Sequence, residues 1–183
     1  MNSEVLLKII KEAIYEELDL SFNLDRGLYI SLYPSLLEIG ATFITINKSS
    51  SLRGCIGSLV AHRPLIDDLI QNAKSAAFKD PRFPPLSLDE FHSDTLSLEI
   101  SILTTPQKLE YTSVEDLKTK VRVGHHGVIL TLDNHKATFL PQVWEQLPSF
   151  ELFFNHLCQK AGLGGDCLEK LPQIELYDVQ KIK

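Results

Sequence analysis

Apolar residues recur every three to four positions at the start of the chain. Val5, Leu6, Ile9, Ile10, Ala13 and Ile14 predict an amphipathic helix over residues 4–19. Residues 20–40 keep no period and read as irregular. From Ala41 to Ile46 the period drops to two, with β-branched side chains, which predicts a strand. A polar turn at residues 47–51 then brings residues 52–60 back as the second arm of a hairpin. Pro64 suits the first turn of a helix carried by Leu65, Ile66, Leu69, Ile70, Ala73, Ala76 and Ala77.

The three prolines of Asp80-Pro81-Arg82-Phe83-Pro84-Pro85 exclude helix and central strand. Ser87 and Glu90 have the spacing of a capping box and predict one short helix. Residues 95–103 alternate, with Leu96, Leu98, Ile100 and Ile102 on one face and Ser97, Glu99 and Ser101 on the other. Thr112 and Glu115 repeat the capping-box spacing before a helix of about two turns that ends near Val121. Residues 128–132 and 136–140 flank Asp133-Asn134-His135 as a second hairpin. Ser149 caps a helix through Leu152, Phe153, Leu157 and Ala161, stopped by Gly162, and residues 174–179 form a last strand. Hairpins outnumber βαβ units. The expectation is an α+β fold with mainly antiparallel sheet and flanking helices.

With 183 residues, 44% apolar and 23% charged, the chain can build one good core or two small subdomains sharing one. The start carries no leader pattern, and no apolar run approaches the roughly 20 residues that span a bilayer. The cysteines at 55, 158 and 167 are odd in number with no paired spacing, so the expectation is free thiols in a cytoplasmic protein. A net charge of −6 argues against a nucleic-acid binder. The charge is uneven, however. Residues 48–82 carry six basic and three acidic side chains, a local +3 that leaves −9 elsewhere. A positive pocket for a small anion and ordinary surface scatter both fit.

Candidate chemistry gathers at Leu52-Arg53-Gly54-Cys55-Ile56-Gly57. Glycine inside a strand marks close approach by a ligand or by another backbone, which singles out Gly54 and Gly57. Arg53 and Cys55 share a face, and a guanidinium near a thiol favours the thiolate. Cys55 is thus a candidate nucleophile, against the alternative of a small buried hydrophobe. A nucleophilic thiol needs a base; His126, set in Gly124-His125-His126-Gly127, leads over His62. Glu99 is either a solvent-face residue or a carboxylate that pairs with Arg53 or orients the histidine. Asp80 and Arg82, in the proline-rich loop, either hold a ligand or brace the loop by bonding carbonyls. Metal-site spacing is absent, and a grouping of His156, Cys158 and Cys167 is set aside because Cys158 falls on the buried side of its helix.

The Leu52–Gly57 run, Asp80-Pro81-Arg82-Phe83-Pro84-Pro85-Leu86 and Leu98-Glu99-Ile100-Ser101-Ile102-Leu103 resemble, in order, motifs of the AMMECR family. Gly127-Val128-Ile129-Leu130 and Ala137-Thr138-Phe139-Leu140-Pro141-Gln142-Val143-Trp144-Glu145-Gln146 do so as well. The resemblance spans nearly the whole chain. It implies a single AMMECR-like domain over residues 1–183, built of two unlike, closely packed and intertwined subdomains whose boundary it does not fix. It also implies a pocket grouping Arg53, Cys55, Asp80, Arg82 and Glu99, with His126. Prokaryotic members are called AmmeMemoRadiSam system protein A, which implies Memo-like and radical SAM proteins as partners. Cys167-Leu168 departs from the family's tryptophan after Ala-Gly-Leu, a change expected to alter packing rather than chemistry.

Two function classes follow. In one, Cys55 works in an enzyme or enzyme component, with Arg53 lowering its pKa or holding an anion, His126 as base and Glu99 orienting it. In the other, the chain is a non-catalytic binding or adaptor module. It lacks the Cys-x-x-x-Cys-x-x-Cys cluster motif and is not itself a radical SAM subunit. A nucleic-acid-associated regulator is a weaker third reading, and the sequence leaves the cofactor unknown.

Overall fold

A computed structural model describes residues 2–183. The chain divides into two compact units. The first runs through Leu103 and takes back Gln180–Lys183; the second is Thr104–Val179.

The first unit opens with α1 (Ser3–Leu18), capped by the Asn2 side chain, which accepts the Glu4 amide. Leu6, Ile9, Ile10, Ala13 and Ile14 are its buried face, as the periodicity predicts. A finding against expectation follows: residues 20–40 include α2 (Arg26–Leu32), capped by Asp25, and a 3-10 turn at Pro34–Leu37. Then come β1 (Ile39–Lys48), β2 (Ser51–Gly57), the two-residue β3 (Arg63–Pro64), α3 (Leu65–Phe78), α4 (Leu88–Phe91) and β4 (Leu96–Leu103). The second arm of the hairpin therefore stops at Gly57 rather than residue 60. Pro64 sits just before α3 as its N-cap instead of inside the first turn. Ser49 and Ser50, at φ 50° and 64°, make the two-residue turn between β1 and β2. The sheet order is β2-β1-β4-β9, where β9 is the returning strand Val179–Ile182, with β3 also on β1. α3 lies on β1 and β2, with α1 packed beside it.

The second unit holds β5 (Gln107–Leu109), α5 (Val114–Lys120), β6 (Gly127–Leu132), β7 (His135–Phe139), α6 (Phe150–Lys160) and β8 (Gln173–Tyr177), with sheet order β5-β8-β6-β7. The cap of α5 is Ser113, bonded to the Asp116 amide, one position beyond the expected Thr112 and Glu115. The Asp116 carboxylate instead reaches back to the Thr112 amide. Phe153, Phe154, Leu157, Val128, Leu130 and Ile174 form the core, and Trp144 stacks on Phe153 at 3.6 Å.

Two further expectations are corrected. The last strand is broken at Asp178: β8 belongs to the second sheet, and β9 (Val179–Ile182) joins the first sheet beside β4. Cys158 and Cys167 are not free thiols but a disulfide, with Cα atoms 6.0 Å apart. A turn after α6 brings the Cys167–Lys170 3-10 segment back onto the helix, a return that a nine-residue spacing does not announce. Cys55 alone is free. No helix among the described residues is long and apolar enough to cross a membrane.

Candidate functional site

β2 is an edge strand, and side chains rather than another strand meet its outer edge. The Cys55 amide donates to Asp80 Oδ2 at 2.9 Å, and Arg82 Nη2 donates to the Cys55 carbonyl at 3.2 Å. The two side chains also lock to each other: Arg82 Nε and Nη2 donate to Asp80 at 2.9 and 2.7 Å, and the Arg82 amide at 3.1 Å. Asp80 and Arg82 thus supply the acceptor and the donor that a neighbouring strand would, and they close the edge. The Arg82 guanidinium first, and the backbone amides of Cys55 and Arg82 with it, hold the buried Asp80 carboxyl well below the usual carboxylate range. Arg82 does bond a carbonyl, as the bracing alternative required.

Arg53 is buried, and its expected partner is replaced. Its Nε and Nη2 donate to Glu90 at 3.1 and 2.9 Å, and Nη2 also reaches the Pro84 carbonyl at 2.9 Å. Lys48 adds a bond to Glu90 at 3.0 Å. Arg53, then Lys48, pull the Glu90 pKa down to about 2. The same Glu90 completes the capping box of α4. None of the Arg53 hydrogen bonds goes to the thiol, because α4 offers a carboxylate and the proline-rich loop before it offers carbonyls.

The close approaches at the two strand glycines come from the protein itself. A Cβ on Gly54 would lie 2.2 Å from the Ala76 carbonyl oxygen of α3, and one on Gly57 would lie 2.2 Å from Phe43 Cγ. Sequence alone could not separate this from a ligand's approach.

Cys55 is half-buried. With its amide and carbonyl turned outward to Asp80 and Arg82, it forms the closer kind of cross-strand pair with Thr45. Thr45 Oγ1 donates to Cys55 Sγ at 3.4 Å. Thr45 in turn lies opposite Glu99, so thiol, hydroxyl and carboxylate form a row across β2, β1 and β4. That row is on the face away from Ile44, Ile46 and Ile100, which are buried in the core. Glu99 pairs with neither Arg53 nor a histidine: its carboxylate meets Lys183 at 3.0 Å and Lys181 at 4.0 Å, on the returning C-terminal segment.

His126 belongs to the second unit. The Arg122 amide reaches its Nδ1 at 3.1 Å and Arg122 Nε reaches its Nε2 at 3.0 Å. A neutral imidazole has one acceptor nitrogen, so these two donors cannot both be served. Asp178 Oδ1, buried and without a hydrogen-bond partner, lies 4.0 Å from His126 Nε2. At that distance Asp178 is an electrostatic neighbour of the ring rather than a hydrogen-bond partner, and the ring accepts from one of the two Arg122 donors at a time. Burial, then the Arg122 charge, push the His126 pKa down. The Trp144 indole fixes the backbone here by donating to the His126 carbonyl at 2.8 Å.

A buried polar cluster escaped the sequence reading. Asp68 is fully buried and takes the Thr42 amide at 2.7 Å, the Thr42 hydroxyl at 2.8 Å, the Ser58 hydroxyl at 2.6 Å, the Asn72 amide at 2.9 Å and Arg63 Nε at 2.8 Å. Asp68 and Asn72 stand at i and i+4 on the buried face of α3, a polar pair in an apolar stripe and the signal that could have exposed it. No group of three or more His, Cys, Asp or Glu among the described residues is arranged to hold a metal ion.

The AMMECR1 family model matches residues 7–182. A protein of Methanothermobacter thermautotrophicus is 39% identical, over 98% of this chain and 91% of its own length. Protein MK0488 of Methanopyrus kandleri is 34% identical, over 96% and 84%. The crystal structure of uncharacterized protein PH0010 from Pyrococcus horikoshii superimposes with a TM-score of 0.77 at 32% identity, covering 98% of this chain and 89% of that one.

Proposed function

The chain belongs to the AMMECR1 family, and from that premise we propose that it is a non-catalytic binding module presenting the Cys55 face of its first unit to an anionic ligand or partner. The observation that supports this is the way the motif's charges are used. Arg53 is spent on Glu90 and on the proline-rich loop, and Asp80 is spent on Cys55 and Arg82. The only side-chain hydrogen bond to the thiol among the described residues comes from a threonine hydroxyl, which is no proton acceptor of useful strength. Arg82 is the motif cation that stays half-exposed, at 53%, and it is the group that would meet the anion.

The resemblance to AmmeMemoRadiSam system protein A makes Memo-like and radical SAM proteins the partners to test. A tagged chain should retain at least one of them from the same genome, with Cys55→Ala still retaining it and Arg82→Glu losing it. Retention of neither protein, together with Cys55-dependent turnover of a substrate by the isolated chain, would sink the proposal.

One observation favours the second reading, a thiol-dependent enzyme or enzyme component: Cys55 is a free thiol whose Sγ accepts a hydrogen bond from the Thr45 hydroxyl. In that reading Cys55→Ala removes activity while partner retention is unaffected.

A further inference from the structure

The helix side of the first sheet is not sealed along its whole length. A groove of about 890 Å³ opens beside α1, α4 and the first half of β4, within the size range of small-molecule sites. Leu98 contributes to its floor, on the sheet face opposite Cys55. Its wall is aromatic: Tyr15 lies nearly parallel to Phe91 at 5.7 Å and edge-on to Phe22 at 5.3 Å. These apolar side chains are half-buried, and the concavity they share offers aromatic and aliphatic surface that a ligand could cover.

The charge at the groove is arranged as well. Leu7, Lys11 and Tyr15 stand at i, i+4 and i+8 along one flank of α1, so Lys11 lies between two apolar lining residues. Lys11 makes no ion pair or hydrogen bond among the described residues, whereas every other charged lining group but Asp94 is engaged. Lys8 faces Glu12 at 3.8 Å, Glu12 also takes the Tyr29 hydroxyl at 2.8 Å, and Lys183 pairs with Glu99 at 3.0 Å. Asp94 also lines the groove, and its charge would disfavour a polyanion there.

We infer that this groove binds a planar aromatic monoanion, its rings against Tyr15 and Phe91 and its carboxylate or sulfonate on Lys11. The site is separate from the Cys55 face and does not depend on the reading of that face.

The probe is 8-anilino-1-naphthalenesulfonate, followed by fluorescence on the full chain, with 2-naphthoate and its neutral isostere 2-naphthalenemethanol as competitors. One saturable site is expected, with 2-naphthoate competing at least about fivefold better than the isostere. Lys11→Glu, an exposed position, should weaken the probe by at least about fivefold, while Lys136→Glu in the second unit leaves it unchanged. Leu98→Gln should weaken all three aromatics together, with circular dichroism reporting that the variant is folded. Absence of a saturable site, equal competition by the neutral isostere, or an unaltered Lys11→Glu variant would each overturn the inference. So would preferential displacement by palmitate, which would mark an acyl-chain groove instead.

Discussion

The carboxylate of Asp80 accepts a hydrogen bond from the Cys55 amide at 2.9 Å, across 25 residues of sequence. Asp80 is 4% exposed and also holds Arg82 in place, so Asp80→Ala leaves the Cys55 amide without its acceptor and releases the guanidinium that covers the strand's carbonyl. The expected loss is about 2–3 kcal/mol, read from urea unfolding. Asp80→Asn keeps an acceptor and should lose less. Light scattering should show concentration-dependent association of Asp80→Ala, because an open strand edge invites pairing. A midpoint unchanged from the parent would contradict this account of the loop.

Gly54→Ala tests how closely α3 sits on β2. The added methyl would meet a backbone oxygen at 2.2 Å, so the helix must move and about 1–3 kcal/mol should be lost. At Gly124, φ is +80° and nothing lies within 4 Å of an added Cβ; alanine there should cost only ~1 kcal/mol, through backbone conformation alone. Equal midpoints for the two variants would rule out the packing explanation.

Acid should act through Glu90. Its folded pKa is about 2, below the unfolded value near 4.5, so the unfolded chain binds the proton more readily over that interval. The stabilisation is complete above about 4.5 and is lost as pH falls through about 2. Urea midpoints taken across this window should fall less steeply for Glu90→Gln than for the parent chain. Asp80, depressed further by Arg82, loses its contribution at still lower pH.

Iodoacetamide should label one cysteine in the native chain, still one after unfolding without reductant, and three after unfolding with it. Three labels without reductant would refute the Cys158–Cys167 bond. Closure of this short loop is worth roughly 2.5 kcal/mol, so reduction should lower the stability of the second unit, reported by Trp144 fluorescence.

Much of the fold was legible because local signals were strong. The first helix, the Ser87–Glu90 capping box and the Ser149 cap rest on periodicity or on side-chain to backbone bonds within four residues. α2 was not legible, since its seven residues are too few for a period. The split at Asp178 was hidden because this single residue separates β8 from β9, too short an interruption to signal a change of sheet. At the candidate site, the residue types at Arg53, Cys55, Asp80 and Arg82 were visible but their partners were not. Arg53 finds Glu90 across 37 residues, and Glu99 finds a lysine on the far C-terminal segment. Pairings of that range are set by the completed fold.

The chain leaves the first unit after Leu103 and returns at Gln180, and at the crossing the Thr104 amide bonds the Asp178 carbonyl while the Asp178 amide bonds the Thr104 hydroxyl. The second unit is therefore an insertion whose two ends are stapled together. During synthesis the first sheet waits for β9, its last strand to emerge, so the inserted unit can fold first and carry Gln180 back to the edge of β4. A nascent chain stopped before Gln180 would hold a finished insertion inside an unfinished host.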